Sequence, residues 1–306
     1  MVGLVAPATP WENRSELLRS VAGLEGWGLR VRLGEHVNDR HGYLAGRDED
    51  RASDLHAMWA DPEIKAIVCL QGGYGSPRLI PLLDGDLIAA NPKPLCGYSD
   101  ITTLHLAVQK WARVISFYSN GAAGVGAPEV TELSKGTMHR ALFSDEPYGA
   151  IPRDPDDPYV RTITGGTTTG RLTGGCITLV QSTIGTPVEI ETDGTILVLE
   201  DLDMHAYILD GALTHLRNAG LLERCAGIVV GELKRVGWRE DYAAFMQDFS
   251  VEDVLEEVLG PLGIPTIYGL PIGHGKHHAT VPLGAVATLD ADAGTLVVDA
   301  VVTSPE

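Results

Sequence analysis

The sequence predicts an α/β fold whose first half forms a mostly parallel, doubly wound sheet. Short apolar runs alternate there with longer amphipathic stretches, which is the order expected of β-α-β units. Residues 66–70 are apolar at every position, as in a strand that helices cover on both faces. A glycine-rich loop, Gly72-Gly73-Tyr74-Gly75, follows this strand directly. Because open α/β sheets bind ligands at the carboxyl ends of their strands, this loop marks the candidate functional edge.

The elements of the first half follow from hydrophobic periodicity. Strands alternate with helices in the order strand 2–6, helix 12–24, strand 29–33, helix 48–60, strand 66–70 and helix 76–83. A short buried strand then ends just before Ser99, and an amphipathic helix follows it. Its apolar positions recur at spacings of roughly three and four: Leu104, Leu106, Ala107, Val108 and Trp111.

The composition changes between residues 141 and 159, where prolines and acidic residues occur without periodicity. This stretch predicts a linker at residues 151–164 between domains of residues 1–150 and 165–306. The second half opens with a stretch rich in glycine and threonine, residues 165–175. We then predict helix 176–184, strand 194–201, a helix spanning 209–221, strand 227–231, helix 251–262, strand 265–269 and an antiparallel hairpin of residues 286–289 and 295–301.

Charge and cysteine usage exclude several classes of protein. The chain has 306 residues and a formal charge of −18, which argues against nucleic acid or an anionic membrane surface as the partner. No apolar window reaches the roughly 18 residues of a membrane span, and the N-terminus lacks the features of a signal peptide. Four widely spaced cysteines in or beside apolar runs predict buried free thiols and a cytoplasmic location: Cys69, Cys96, Cys176 and Cys225.

Ser99 stands at the predicted strand-to-helix turn, in Gly97-Tyr98-Ser99-Asp100-Ile101. A turn of this kind pushes a hydroxyl out of the sheet and places the next amide and the positive end of a helix beside it. That placement suits a nucleophile whose attack creates an oxyanion. From this stretch alone a helix N-cap is the favoured interpretation of Ser99, with Asp100 favourable in the first turn, so the rest of the chain must decide.

The glycine loop also has two interpretations. It could cradle a phosphate, but neither the dinucleotide fingerprint nor the P-loop pattern is present, which disfavours a nucleotide-binding oxidoreductase. Alternatively, its bare backbone amides face Ser99 from the end of the neighbouring strand.

Two further candidates stand at strand ends. A serine nucleophile needs a base, and His274 in Gly273-His274-Gly275 has suitable chemistry near neutral pH. The imidazole needs an acceptor for its other nitrogen, which Glu200 provides in this hypothesis. Taken singly, Glu200 is also typical of a solvated strand end, and His274 of a turn. His274, His277 and His278 match no zinc motif, so no metal is predicted.

Taken together, these segments resemble the LD-carboxypeptidase family of serine peptidases, which includes the microcin C immunity hydrolases. The resemblance runs over nearly the whole chain. The segments that carry it are the glycine loop, residues 42–46, 51–55, 78–84, 91–93 and 97–102, Leu199-Glu200-Asp201, Gly273-His274-Gly275 and residues 281–284.

The resemblance implies an N-terminal Rossmann-like parallel-sheet domain with the nucleophile and a C-terminal, mainly β domain with helices that carries the other two triad members. By the resemblance, Ser99 is the nucleophile, His274 the general base and Glu200 its orienting carboxylate. The backbone amides of Gly73 and Asp100 would form the oxyanion hole. The resemblance also implies a homodimer and no metal or organic cofactor.

Departures from the family pattern concern the substrate. The family commonly has arginine at position 71, which is glutamine here, and asparagine at position 278, which is histidine here. Residues 174–176 and 203–207 differ as well. The preferred hypothesis is removal of a C-terminal D-amino acid from muropeptides. Hydrolysis of aminoacyl- or peptidyl-nucleotide conjugates is the alternative, and a non-catalytic α/β protein that binds a small ligand is the alternative of another class.

Overall fold

The computed structural model describes residues 1–236 and 249–299, and it contains two sheets flanked by helices. The strands are β1 Val2–Val5, β2 Val31–Leu33, β3 Ala66–Cys69, β4 Leu95–Gly97, β5 Ser116–Tyr118, β6 Gly149–Ala150, β7 Arg161–Thr164, β8 Thr167–Cys176, β9 Ile196–Leu202, β10 Gly227–Lys234, β11 Thr266–Tyr268, β12 Val281–Leu283, β13 Val286–Asp290 and β14 Thr295–Val298.

The α-helices are α1 Arg14–Gly26, α2 Asp48–Ala60, α3 Gly85–Ala90, α4 Thr102–Ala112, α5 Ala122–Gly126, α6 Glu132–Phe143, α7 Ile177–Ser182, α8 Ala206–Asn218 and α9 Val251–Leu259. Short 3-10 segments occupy Ser76–Leu82, Ser99–Ile101 and Gly260–Leu262. The predicted α/β fold class is thereby confirmed.

The first sheet has the order β12-β5-β4-β3-β1-β2. Strands β1 to β5 pair in parallel, as predicted, and β12 from the second half of the chain adds an antiparallel edge on β5. The carboxyl ends of β3 and β4, which lead into the glycine loop and Ser99, therefore lie side by side.

The second sheet is mixed, with the order β6-β14-β13-β8-β9-β10-β11-β7. Its centre, β8 to β11, pairs in parallel, and the outer strands pair antiparallel. The predicted hairpin is present as β13 and β14, and positions 300–301 of that prediction lie outside the described residues. Strand β6 comes from the first half, so each half lends a strand to the other half's sheet. The domain boundary at residues 151–164 stays a prediction.

Several boundaries differ from those predicted. Helix α1 begins after Asn13, whose side chain accepts a hydrogen bond from the Glu16 amide at 3.2 Å. In place of the one helix predicted at residues 76–83, the structure has a 3-10 segment, Ser76–Leu82, which contains Pro81 and is followed by α3. The stretch 165–175 contributes most of the ten-residue strand β8, and the helix predicted at 176–184 is shorter, as α7.

Three apolar clusters hold these elements together. One lies between the first sheet and helices α2, α3 and α4 and includes Leu55, Trp59 and Leu104. A second packs α7, α8 and α9 on one face of the second sheet. The third runs continuously from α1 and the other face of the first sheet to the inner face of the second, so the halves share one core. All four cysteines are free and buried, which confirms the prediction of buried free thiols.

Lys93 is a buried cation that closes the C-terminus of α2. Its ammonium donates hydrogen bonds to the backbone oxygens of Met58 at 2.9 Å, Trp59 at 2.7 Å and Asp61. The last carbonyls of a helix lack intrahelical partners, so this one side chain satisfies groups that α2 leaves open. Burial lowers the pKa of Lys93, but the contact fixes α2 against the segment that leads into β4.

We expect Lys93→Met to reduce the free energy of unfolding by about 1–3 kcal/mol, because buried carbonyls lose their donor. Chemical denaturation measures the change. Lys65→Met is the matched control, since exposed Lys65 donates to the Pro62 carbonyl at a position where water can replace it. Equal losses in both variants would contradict the capping role of Lys93.

Candidate active site

Ser99 occupies a strained position at the carboxyl end of β4. Its φ is +60°, a left-handed conformation that a serine adopts only where its surroundings enforce it. The backbone is held on both sides: the Ser99 amide donates to the Tyr118 hydroxyl at 2.9 Å, and Thr102 Oγ1 donates to the Ser99 carbonyl at 2.7 Å. The cap positions of the 3-10 segment and of α4 are Tyr98 and Ile101, so Ser99 is not the helix N-cap.

The glycine loop lies directly against this turn. A Cβ on Gly72 would stand 2.9 Å from Ser99 Cβ and 3.3 Å from the Asp100 backbone nitrogen, so a side chain has no room there. Gly73 has a φ of +109° and packs instead against Thr9. The backbone of Gly72 therefore approaches the Ser99 turn closely because this residue carries no side chain.

The Asp100 carboxylate fixes the distance between the loop and the turn. It is buried and accepts hydrogen bonds from the amides of Gly75 at 3.2 Å and Ser76 at 2.7 Å. Burial raises the pKa of Asp100, and the two amide hydrogen bonds oppose that shift. Buried Arg51 holds the loop from the other side by donating to the Gly75 carbonyl at 3.1 Å.

Glu200 and His274 form a hydrogen-bonded pair. His274 Nδ1 lies 2.7 Å from Glu200 Oε2, and Glu200 is fully buried within β9, two residues before the strand ends, rather than solvated at a strand end. The Tyr118 hydroxyl donates to the other oxygen, Oε1. Burial raises the pKa of Glu200, while the hydrogen bonds from His274 and Tyr118 lower it. A Cβ on Gly273, the residue before His274, would stand 2.4 Å from Glu200 Oε2, so only glycine fits there.

Aromatic side chains enclose the pair. The Tyr98 ring lies 5.1 Å from that of His274 and 5.0 Å from that of His278, and His278 lies 5.8 Å from Tyr118. Burial, followed by the charge of His274, lowers the pKa of His278 to about 4, so His278 is neutral at physiological pH. The predicted residues Ser99, Glu200 and His274 thus belong to one cluster joined by Tyr118.

Sequence reasoning did not identify Tyr118 as part of this site. A tyrosine within a buried apolar strand is the one available signal, since its hydroxyl must find a partner inside the protein. The partner could not be named, because Glu200 is 82 residues further along the chain.

The family models match the chain in two pieces. The LD-carboxypeptidase N-terminal domain matches residues 2–119 and the LD-carboxypeptidase C-terminal domain matches residues 169–289. A probable murein peptide carboxypeptidase of Bacillus subtilis is 35% identical over 301 residues, which cover 98% of this chain and 91% of that protein. The chain belongs to the LD-carboxypeptidase family.

Solved structures agree with this membership. The crystal structure of muramoyltetrapeptide carboxypeptidase from Oxalobacter formigenes has a TM-score of 0.83 at 25% identity and covers 98% of this chain and 99% of that one. A structure of MccF in complex with glutamyl sulfamoyl guanosine shares the fold, with a TM-score of 0.84 at 21% identity, covering 97% and 95% of the two chains. The chain is therefore an enzyme, a serine carboxypeptidase by family, rather than a non-catalytic binding protein.

Two departures from the LD-carboxypeptidase pattern lie beside the site. The Gln71 amide donates to the Pro10 carbonyl at 2.7 Å, so it ties down the loop after β1. His278 packs between Tyr98 and Tyr118, and neither of its ring nitrogens has a hydrogen-bond partner among the described residues.

In the described part of the chain no helix is long and apolar enough to cross a bilayer.

The segment predicted as a linker holds the loop that carries His274. His277 Nε2 lies 3.3 Å from Asp156 and 3.8 Å from Asp154, and Lys276 Nζ lies 2.6 Å from Asp156. His277 thus faces the linker, while His274 faces Glu200.

Glu232 lies beneath the same loop, in surroundings that disfavour its charged form. A Cβ on Gly275 would stand only 1.4 Å from Glu232 Oε2. Burial, followed by the charge of Asp154, raises the pKa of Glu232 to about 7. Its ordinary value is 4.5, so the folded protein binds this proton more tightly than the unfolded chain does. The contribution of Glu232 to stability is therefore complete below pH 4.5 and is lost as the pH rises through about 7.

We expect Glu232→Gln to raise the Tm relative to wild type at pH 8 and to leave it nearly unchanged near pH 5, because the amide carries no charge to bury. Thermal unfolding of both proteins across this pH range measures the difference. Glu223→Gln, at an exposed carboxylate, serves as the control and should show no pH-dependent difference. A Tm difference for Glu232→Gln that does not vary with pH would contradict the assignment.

Proposed function

We propose that this enzyme removes a C-terminal D-amino acid from muropeptides by means of a Ser99-His274-Glu200 triad. The observation that carries the proposal is the 2.7 Å hydrogen bond between His274 and buried Glu200, next to a strained serine turn. The Bacillus subtilis relative, which is named a probable murein peptide carboxypeptidase, supports the substrate class.

In the proposed reaction Ser99 Oγ attacks the scissile carbonyl, and His274 Nε2 accepts the hydroxyl proton. The tetrahedral intermediate then collapses. The C–N bond breaks, and His274 returns the proton to the departing amine of the D-amino acid. Water attacks the acyl-enzyme by the same route, which releases the shortened peptide and restores Ser99. Glu200 keeps Nδ1 of His274 protonated and stabilises the imidazolium that forms in each half-reaction.

The oxyanion hole in this proposal consists of the backbone amides of Asp100 and Gly73. The close approach of Gly72 to Ser99 and to the Asp100 nitrogen supports this arrangement, since it brings the loop backbone to the side of the turn where the oxyanion forms. The Asp100 carboxylate would act as a clamp, because it bonds the loop amides of Gly75 and Ser76 and so fixes the spacing of the two donors.

A second substrate class remains part of the proposal: aminoacyl- or peptidyl-nucleotide conjugates. Release of a D-amino acid requires recognition of its free carboxylate, and the side chain at position 71 is a glutamine bonded to Pro10 instead of a cation. MccF, which shares the fold, has been solved with glutamyl sulfamoyl guanosine. The same triad would hydrolyse the amide of such a conjugate. We further propose a cytoplasmic homodimer that requires no metal or organic cofactor.

A side-by-side assay tests the nucleophile and the substrate together. Wild type and Ser99→Ala are each offered a murein tetrapeptide and an aminoacyl sulfamoyl adenylate, and released D-alanine or amino acid is quantified. We expect kcat on the tetrapeptide to fall on the order of 10⁶-fold in Ser99→Ala. Cleavage of the adenylate alone would move the enzyme to the second substrate class. Undiminished activity of Ser99→Ala would refute the nucleophile.

Gly72→Ala tests the approach of the glycine loop to the turn. The new Cβ would push the loop away from Ser99, so we expect kcat to fall by about 10²-fold, the effect of one lost oxyanion donor, with a smaller change in KM. Gly136→Ala is the control: this glycine lies in α6 with open space around it, and alanine there favours the helix. Wild-type kcat in Gly72→Ala would argue against an oxyanion hole at this loop.

A further inference from the structure

Tyr118 lies where the two halves of the site meet. It ends β5, which pairs with β4 on one side and with β12 on the other. The side chain is fully buried, and its single hydroxyl has two partners. The hydroxyl accepts a hydrogen bond from the Ser99 amide at 2.9 Å and donates one to Glu200 Oε1.

We propose that Tyr118 is a positioning residue for hydrolysis, because its hydroxyl couples the backbone of the Ser99 turn to the carboxylate that orients His274. This inference rests on the proposed function, in which Ser99 and His274 act together. It assigns Tyr118 no proton transfer and no contact with substrate.

Ser99 is the first partner of the Tyr118 hydroxyl. A left-handed φ of +60° at a serine persists only if surrounding contacts favour it over the relaxed backbone. The Tyr118 hydroxyl is the acceptor for the amide of this residue, so it opposes rotation of the turn. The Thr102 hydroxyl holds the carbonyl of the same residue and also accepts from the Cys176 amide at 3.0 Å. The turn is thus fixed from both of its peptide groups.

Glu200 is the second partner of the Tyr118 hydroxyl. A fully buried carboxylate needs a donor at each oxygen, and His274 and Tyr118 provide one each. Burial keeps the pKa of Tyr118 well above its usual value, so the hydroxyl stays protonated and remains a donor. Loss of this donor would leave Glu200 Oε1 unpaired and concentrate negative charge on the oxygen that faces His274.

The surroundings leave Tyr118 little freedom to move. Its ring lies 6.4 Å from that of Tyr98 and 5.8 Å from that of His105. A Cβ on Gly175 would come within 3.1 Å of Tyr118 Cε2, so the glycine in β8 makes room for the ring. Because the ring is fixed, the hydroxyl holds the Ser99 amide and the Glu200 carboxylate at defined positions relative to β5.

Removal of the hydroxyl has a predictable direction of effect on the pH profile. An unpaired Glu200 would hold its own proton more tightly, because the Tyr118 hydrogen bond that lowers its pKa would be lost. This effect moves the acidic limb of the kcat/KM profile to higher pH. Among the described residues, the titratable groups whose charges or hydrogen bonds act on Glu200 are His274, Tyr118, Tyr98, Cys176 and Asp201, and His278 is coupled to His274.

The test compares Tyr118→Phe with Tyr148→Phe, each of which deletes one buried hydroxyl. Tyr148 donates to the Thr280 carbonyl and has no contact with the triad carboxylate. We expect Tyr118→Phe to lower kcat by about 10²-fold, the typical cost of a displaced reacting group. We also expect its acidic limb at higher pH than in wild type. Tyr148→Phe should lose stability but keep the wild-type kcat and profile.

Two further variants keep the inference testable if Tyr118→Phe does not fold. Site-specific 3-fluorotyrosine at position 118 retains the shape and makes the hydroxyl a stronger donor, so the acidic limb should move to lower pH. In the Glu200→Gln background the part of the effect that acts through the carboxylate is already lost, so Tyr118→Phe should cause a smaller additional loss of kcat than it does in wild type. Unchanged profiles in the fluorinated and Phe variants, or additive losses in the double variant, would overturn the positioning role.

The outcomes separate this inference from the proposed function. If wild type and Ser99→Ala release no product from the tetrapeptide or the adenylate, the proposed function fails. If wild type is active, Ser99→Ala is inactive and Tyr118→Phe matches wild type in kcat and profile, only the role of Tyr118 fails.

Discussion

The site depends on one buried charge, the carboxylate of Glu200. A carboxylate without solvent must be paired at both oxygens, and its partners come from opposite directions: His274 from the loop after β11 and Tyr118 from the first sheet. The chain satisfies this requirement by bringing the end of β9 against the end of β5. The Tyr118 hydroxyl also accepts a hydrogen bond from the Ser99 amide. The same side chain therefore pairs the buried carboxylate and positions the serine.

Glycines allow these close approaches. Gly72 lies against the Ser99 turn, Gly175 against the Tyr118 ring and Gly273 against the Glu200 carboxylate, and a Cβ at any of the three would meet a neighbouring atom at 3.1 Å or less. Gly72 and Gly273 lie in segments that match the family pattern, and Gly175 lies in a segment that departs from it. At each of these three positions the glycine backbone lies directly against another part of the site, so there is no room for a Cβ.

The two halves of the chain are interlocked rather than joined only by a tether. Strand β12 from the second half completes the first sheet, β6 from the first half completes the second, and one apolar cluster spans both. Contacts of Lys276 and His277 with Asp154 and Asp156 hold the His274 loop to the connecting segment. Burial and the charge of Asp154 in this segment together raise the pKa of Glu232, which lies beneath the His274 loop.

The sequence by itself determined the parallel first sheet, the strand-end position of Ser99 and the family, because periodicity and short motifs are local properties of the chain; Glu200 lies inside β9 and His274 in the loop after β11. The tertiary structure decided what depends on distant partners. Strand β8 was not predicted, since its glycines disfavour a strand until β9 and β13 pair with it. The role of Tyr118 could not be foreseen either, because a hydroxyl acquires its function from the residues that folding places around it.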